Sequence, residues 1–559
     1  MTESLDTPVS RRHVLTILAA GAAAVAGGGV LAGCGDGGGG ETGTTDKNKL
    51  NEILPQYAAD KSVVPDIACA SGPAGAISNP CFLKYPASPA KTVNGKVGSG
   101  GTYTTMTPLW GAIPPSSGNT YYDTVNKAIG ATLKMQPADG NNFGNSLPPL
   151  FAADKLPDWI QIPSWNTTNL GFGQAVSRFV DLTPHLSGDK IKKYPNLMAI
   201  PQAAWASGVW NGKLYGIPSF STAAKYAGLI FYRKDMFEKL GVSPEIKSAD
   251  DLFNLGKQLT NATAGKWAFD DLWTYLASPF KISGTWSDVN GKLTHKYETQ
   301  NIIEALNWQA KVVKAGYMHP DAVAGNNQNA KQRFQSGKVA ITGDGQGAWV
   351  GDDAKAGAAA DPAYNRQAFK LFTWDGNGTP TIDLGNGASM FSYLNKKLSD
   401  AQVKECLAIA NYLAAPYGSA EYLVVNFGAE GTDYTMKDSN PVLTELGSKE
   451  VATTFQFLAS PAEVTSVTSG YTQVAKDYAV WHADSVKYAV KPMFFGMNVT
   501  EPAQFASIGQ AVEDTLLDVR YGRKPVSAFT DAVAAWRKQG GDDLRKFYED
   551  IRSKNGTGQ

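Results

Sequence analysis

The stretch NGKLYGIPSFSTAAKYAGLIFYRKDMFEKLGVSP fills residues 211–244. A glycine turn enters a strand that ends Tyr215-Gly216-Ile217-Pro218, and a second short apolar run, residues 228–232, follows it. Lys234 to Leu240 is helical, with Gly241 as its stop. Downstream, Ser248 caps a helix over residues 250–259, with Asp251 at its third position and Leu252, Leu255, Gly256 and Leu259 on one face. Ser399 caps another, with Gln402 at the third position, running to Ala415 before Pro416. Upstream, residues 102–106 read as a strand ended by Pro108. Residues 121–133 have helical spacing, and residues 157–162 form a short buried strand. Strands alternating with helices, without an internal repeat, predict an α/β protein with mostly open sheets.

The N-terminus carries a location signal. Arg11-Arg12 precedes an Ala/Gly/Val/Leu run to Leu31, a charged region followed by an apolar one, as in an export signal. The run is too rich in Gly and Ala for a convincing membrane span, and no basic flank follows it. Leu31-Ala32-Gly33-Cys34 resembles a bacterial lipobox, which makes Cys34 the expected lipidated residue after removal of residues 1–33. Residues 34–49, rich in Gly, Thr and Asp, are expected to be a flexible tether. The arginine pair resembles the twin-arginine signal for export of folded proteins, although such pairs also occur in ordinary signals.

Composition narrows the class. The mature chain is too long for one core. Lys+Arg and Asp+Glu balance at 51 each, and only 18% of residues are charged. That argues against nucleic acid and against a polybasic membrane face, leaving the lipid as the only expected membrane attachment. Cys69 and Cys81, close together in a Pro/Gly/Ser-rich stretch, read as an extracytoplasmic disulfide. Cys406 shares an apolar helix face with Val403 and Leu407 and reads as a buried thiol. The five histidines are scattered and no Cys/His set has ligand spacing, so neither a metal nor a cofactor is expected. Thirteen tryptophans and 23 tyrosines suggest flat faces that stack on sugar rings.

The 211–244 unit resembles the extracellular solute-binding proteins of ABC importers, the large carbohydrate-binding family. Other stretches match in order: LPDWIQI (156–162), RFQSGKVAITGDGQGAWV (333–350) and LNKKLSDAQVKECLAIANYLAAP (394–416). FGAEGTDY (427–434) and GRKPVSAFTDAVAAWRKQGGDDLRKFYED (522–550) are similar to its longer oligosaccharide-binding lipoproteins. The resemblance implies a two-lobed, periplasmic-binding-protein-like α/β fold with hinge strands and a ligand cleft between the lobes. It places lobe 1 at 101–220 and 385–440, and lobe 2 at 221–384 and 441–559. Crossings are expected near 218–226, 383–387 and 438–445. Residues 50–100 form an extended N-terminal segment absent from the smallest family members. The implied partners are a sugar or oligosaccharide and the permease subunits of an importer, with the chain itself a monomer.

A neutral sugar needs stacking faces and carboxylates or amides for its hydroxyls, and no nucleophile. On that basis the candidates in lobe 1 are Trp110, after the first strand, and Trp165, in a polar loop with Asn166. Ser219, Ser221 and Lys225 lie in the hinge region. Asp344, Gln346 and Trp349 lie beyond the strand over 339–342, and Trp374 with Asp375 stands before the second crossing. Asp270 and Trp273, beside Asp271, make a further polar-aromatic cluster. Core tryptophans and surface turns are the rival reading at each place. The competing functions are a secreted glycoside hydrolase, for which no signature is present, a peptide- or polyamine-binding lipoprotein, which needs a charged cleft, and an adhesion lipoprotein.

Overall fold

The computed structural model describes residues 42–558, except 62, 141, 168–169, 227, 351–352 and 468–470. The arginine pair and Cys34 lie outside the described residues. Among the described residues no helix is long and apolar enough to cross a membrane.

Nine strands form the two main sheets: β1 (Thr102–Leu109), β2 (Thr132–Asp139), β3 (Trp159–Pro163), β4 (Ile217–Ser219), β5 (Leu229–Arg233), β6 (Trp267–Phe269), β7 (Val339–Asp344), β8 (Arg366–Ala368) and β9 (Met390–Leu394). The first sheet has the order β2-β1-β3-β9-β4 and the second β8-β5-β7-β6. In the first, β2, β1 and β3 are parallel, and β9 runs antiparallel to both β3 and β4. In the second, β6 and β7 are parallel and β5 is antiparallel to β7. Each sheet has its own core. Trp159, Ile160, Ile217, Phe391 and Leu407 fill lobe 1, and Ile230, Leu252, Leu255, Phe269 and Ile341 fill lobe 2. The C-terminal helices add a cluster around Trp286, Phe529, Trp536 and Tyr548.

Local rules set most boundaries. The helix Lys234–Leu240 ends at Gly241 (φ 65°), and the helix Ala249–Leu259 starts in a full capping box of Ser248 and Asp251. Ser399 and Gln402 make the same box before the helix Asp400–Leu413. Two boundaries differ from the sequence reading. The helix after residue 120 stops at Ile129, because Gly130 takes φ 64° and closes it, and the next residues become β2. Pro108 does not end β1. It pairs with Ala138 of β2, while on the other side β3 pairs only with Thr105 and Met106, so the missing N–H interrupts no ladder there.

The chain passes between the sheets at 220–228, at 384–389 and at 460–464. The third place corrects the expected crossing at 438–445. That segment lies in a hairpin of Tyr434–Lys437 with Asn440–Leu443, and Phe455, Leu458 and Ala459 still pack in the lobe 1 core. The crossings are bonded to one another. Thr222 N–H donates to the Gly387 carbonyl (3.0 Å), Gly385 N–H to the Lys225 carbonyl (2.6 Å), and Glu463 N–H to the Ser221 carbonyl (2.7 Å). Phe220 N–H donates to Ser460 Oγ at 2.7 Å.

The N-terminal segment is docked on this frame. Asp46 caps a helix over Lys47–Ile53, and Thr500 N–H and Asn211 N–H donate to the carbonyls of Thr42 and Gly43. Residues 42–49 of the expected tether are therefore docked rather than free. Further on, Cys81–Phe82 pairs in parallel with Thr465–Ser466, just past the third crossing. Asn79 Oδ1 accepts from Thr222 Oγ1 (2.6 Å), and Phe82 and Tyr85 pack with Tyr417 and Leu423. Residues 67–93 thus strap the hinge, touching elements of both lobes.

The expected Cys69–Cys81 disulfide is not formed. Ile67 and Cys81 exchange backbone hydrogen bonds of 3.1 Å, so the residue opposite Cys81 is Ile67. Cys81 is buried against Ala475 and Ala479, whereas Cys69 is exposed. Burial pushes the Cys81 thiol up to about 11, which leaves it unreactive. In the native, unreduced protein a thiol reagent should label Cys69, and reach Cys81 and Cys406 only after unfolding. Protection of Cys69 that is lifted by a reductant would restore the disulfide.

His482 is fully buried where the strap, the first crossing and lobe 2 meet. Its Nδ1 accepts from Asn79 N–H (3.3 Å), and its Nε2 lies 3.1 Å from the Ala224 carbonyl. The ring sits between Tyr226 and Tyr478, and burial holds its pKa down at about 4, below the ordinary 6.5. A depressed histidine stabilises the fold fully above its unfolded pKa and loses that contribution as pH falls. The melting temperature should therefore drop between pH 6.5 and 4, and His482→Gln should make that drop shallower in a thermal-melt series, the buried His295 keeping its own share. An unchanged slope in the variant would remove His482 as the cause.

Candidate functional site

The topology collects particular strand ends. Since β1 and β3 are parallel, and β9 is antiparallel to both β3 and β4, the C-terminal ends of β1, β3 and β4 share one edge. Trp110, Trp165 and Phe220 follow those ends. Open α/β sheets bind ligands at this edge. Trp110 is 46% exposed and Trp165 is 54% exposed. Their ring centroids are 6.1 Å apart; Phe457 lies 5.8 Å beyond Trp110, and Phe220 lies 5.3 Å beyond Phe457. The row is fixed from below: a Cβ at Gly140 would fall 2.5 Å from the Trp110 ring. Asp139 and Asn142 are bonded to each other beside it, and Asn166 packs on Gly144.

On lobe 2 the C-terminal ends of β6 and β7 and the start of β5 share an edge, and the first crossing enters the sheet there. Tyr275 lies over Gly228 and Gly343; a Cβ on Gly343 would sit 1.8 Å from its ring. A cavity of about 420 Å3 opens beside it, lined by Gly228, Trp273, Tyr275, Lys281, Ser283 and Asp383 among others. Asp383 accepts from Ser283 Oγ and Gly284 N–H, both at 2.7 Å, and burial raises its pKa.

The expected residues divide. Trp110 and Trp165 come together as an exposed pair, and Trp273 lines the lobe 2 cavity, with Arg520 over its ring at 5.0 Å. Asp344 ends β7 with one oxygen bonded to Arg366 (3.1 Å) and the other accepting from Gly345 N–H. The hinge residues are mostly framework. Ser219 belongs to β4 and is buried, and Ser221 is buried with its carbonyl bonded to the third crossing. Lys225 Nζ reaches the Phe220 carbonyl at 3.5 Å and faces Glu463, whose carboxyl burial raises and Lys225 partly lowers. Gln346 is not presented to a ligand. Its Oε1 accepts from Tyr226 N–H and its Nε2 bonds the Tyr478 hydroxyl, tying lobe 2 to the first crossing.

Four more expectations are corrected. Trp349 is 2% exposed, packed edge-on against Phe231, Tyr478 and Trp481. Trp374 stacks on Phe280 at an interplanar angle of 9° and packs on the lobe 2 core. Asp375 folds back on its own turn, where Asn377 N–H holds its carboxyl below the usual range. Asp270 is buried in a two-pronged bond to Arg333 (2.6 and 2.9 Å), a structural pair. Phe220 is a site residue that the sequence does not single out: it stands between Ser219 and Ser221, and a lone phenylalanine carries no local signal that separates a platform from a core ring.

Trp349→Ala should then cost roughly 3–5 kcal/mol of stability. Trp110→Ala, which opens no cavity in the core, should leave the denaturation midpoint close to wild type. Chemical denaturation of both variants checks the assignment, and equal losses would contradict it.

A model of the bacterial extracellular solute-binding protein family matches residues 120–426. The lipoprotein LipO of Bacillus subtilis is 22% identical over 488 residues, 82% of this chain and 93% of that protein. The polygalacturonan/rhamnogalacturonan-binding protein YtcQ of the same organism is 23% identical over 65% of this chain and 75% of its own length. Among solved structures, an HMO-binding, ABC-transporter-associated solute-binding protein from Bifidobacterium longum infantis superposes with a TM-score of 0.59. It has 13% identity, and the match covers 81% of this chain and 98% of that one.

Proposed function

Since the chain belongs to the bacterial extracellular solute-binding protein family, we propose that it is the substrate-binding component of an ABC importer. In this reading it takes a sugar or oligosaccharide between its lobes, and Cys34 carries the lipid that holds it on the outer face of the cell membrane. The observation that carries the reading is the exposed pair of Trp110 and Trp165 at one strand-end edge, continued by the half-buried Phe220, with the buried Phe457 packed behind Trp110 and Phe220. Aromatic faces of this kind match the apolar C–H faces of sugar rings, while Asp139, Asn142 and Asn166 supply polar groups near the rims. The relative YtcQ, named for binding polygalacturonan and rhamnogalacturonan, points the same way.

The carboxylates tied to arginines on lobe 2 favour a binder over a hydrolase. A glycosidase needs one acid kept protonated and a second carboxylate as base or nucleophile. On lobe 2, Asp270 is bonded to Arg333, Asp271 to Arg520 and Tyr521, and Asp344 to Arg366, so these carboxylates are engaged by the protein's own side chains. A peptide or polyamine would need charge along the row, which is aromatic instead. The complex is expected to be one monomer with one ligand, closing because the ligand touches both lobes.

Calorimetry against a panel of neutral and acidic oligosaccharides tests the proposal. Stoichiometric binding without turnover is expected. Trp165→Ala should weaken it at least tenfold, about 1.4 kcal/mol, with little change in melting temperature. Turnover of the bound saccharide, or no binding across the panel, would refute the reading. For location, Cys34→Ala should shift the protein from the membrane fraction to the soluble or unprocessed one; a variant still lipid-anchored would exclude Cys34.

A further inference from the structure

Phe220 holds two positions at once. Its ring is the last of the aromatic row, and its backbone is the first residue of the first crossing. The backbone is left-handed, with φ 50°. Residues with a Cβ populate that region sparsely, and glycine would occupy it with less strain. Yet a phenylalanine stands here, with its amide fixed to Ser460 Oγ at 2.7 Å and its carbonyl within 3.5 Å of Lys225 Nζ. Ser460 opens the third crossing, and Phe457, the ring that Phe220 touches, lies three residues before it. Two of the three crossings therefore begin beside adjacent rings of the row, and one hydrogen bond clamps them together.

We propose that Phe220 is a positioning residue that couples occupancy of the aromatic row to closure of the lobes. The inference rests on the reading of the row as a saccharide platform. A ligand shifts an open–closed equilibrium only through contacts that differ between the two states. A rotation about the crossings changes the backbone path at residue 220, and this moves the Phe220 ring against Phe457. Open and closed forms then present different stacking surfaces. The ring alone would bind without closing, and the strained backbone alone would bend without sensing the ligand. Their meeting in one residue supplies the differential contact.

Three variants separate these parts. Phe220→Gly removes the ring and the left-handed strain, Phe220→Leu removes the aromatic face and keeps the Cβ, and Phe220→Tyr keeps the ring. Small-angle scattering without ligand should show a changed radius of gyration for Phe220→Gly and the wild-type radius for Phe220→Tyr. With the best-binding oligosaccharide of the panel, Phe220→Leu should bind at least tenfold more weakly and compact less at saturation, and Phe220→Tyr should recover both. A wild-type ligand-free radius in Phe220→Gly overturns the coupling, as does wild-type affinity and compaction in Phe220→Leu. Either result leaves saccharide binding standing. A wild-type protein that binds no saccharide refutes the proposed function instead, and the ligand-free comparison still decides the coupling. Should Phe220→Leu fail to fold, as judged by its melting curve, that same comparison decides alone.

Discussion

The bonds among the three crossing segments are the constraint on which the rest depends. A chain that leaves one sheet for another exposes amides and carbonyls with no ladder to join, and burying them unpaired would cost about 1–3 kcal/mol each. Here each crossing finds partners in another: Thr222 with Gly387, Lys225 with Gly385, Ser221 with Glu463, and Phe220 with Ser460. The sheets can keep separate cores because this ribbon joins them. It also fixes which strand ends meet, and so where the tryptophans stand.

Much of the fold was legible in the sequence, because it is written in short-range rules. Capping boxes at Ser248 and Ser399 and the stop at Gly241 act within one turn of helix, so they survive any tertiary context. Pro108 shows the limit. Whether a proline ends a strand depends on which neighbours use that residue's N–H, and the pairing with β2 and β3 is not local information. The third crossing failed for the same reason: Phe455 and Leu458 look like any apolar pair until the lobe 1 core claims them.

The site was legible only by half. Trp110 and Trp349 both follow strands in glycine-containing loops, and composition gives no way to tell platform from core. Burial separates them. Trp349 meets Tyr478 and Trp481 from a helix more than a hundred residues later, whereas the Trp110 ring lies over Gly140, which has no side chain to cover it. The acidic candidates divided likewise. Asp270 finds Arg333 across 63 positions of sequence, a pairing that no spacing rule anticipates. Sequence offers residue types at strand ends, and the partners that consume or spare them come from afar.

The docking of Thr42 onto Thr500 and of Gly43 onto Asn211 would limit how a body lipidated at Cys34 sits above a bilayer. From Cys34 to Thr42 the chain spans at most about 28 Å even if fully extended. With a lipid on Cys34, the point between Asn211 and Thr500 can rise no higher than that above the headgroups. Under that proposal a search through bulk solvent would become a shallow, nearly two-dimensional one. Encounter with a membrane partner would then depend on an effective concentration set by leash length. Lengthening the leash by inserted residues would dilute that concentration without touching a single contact in the folded body.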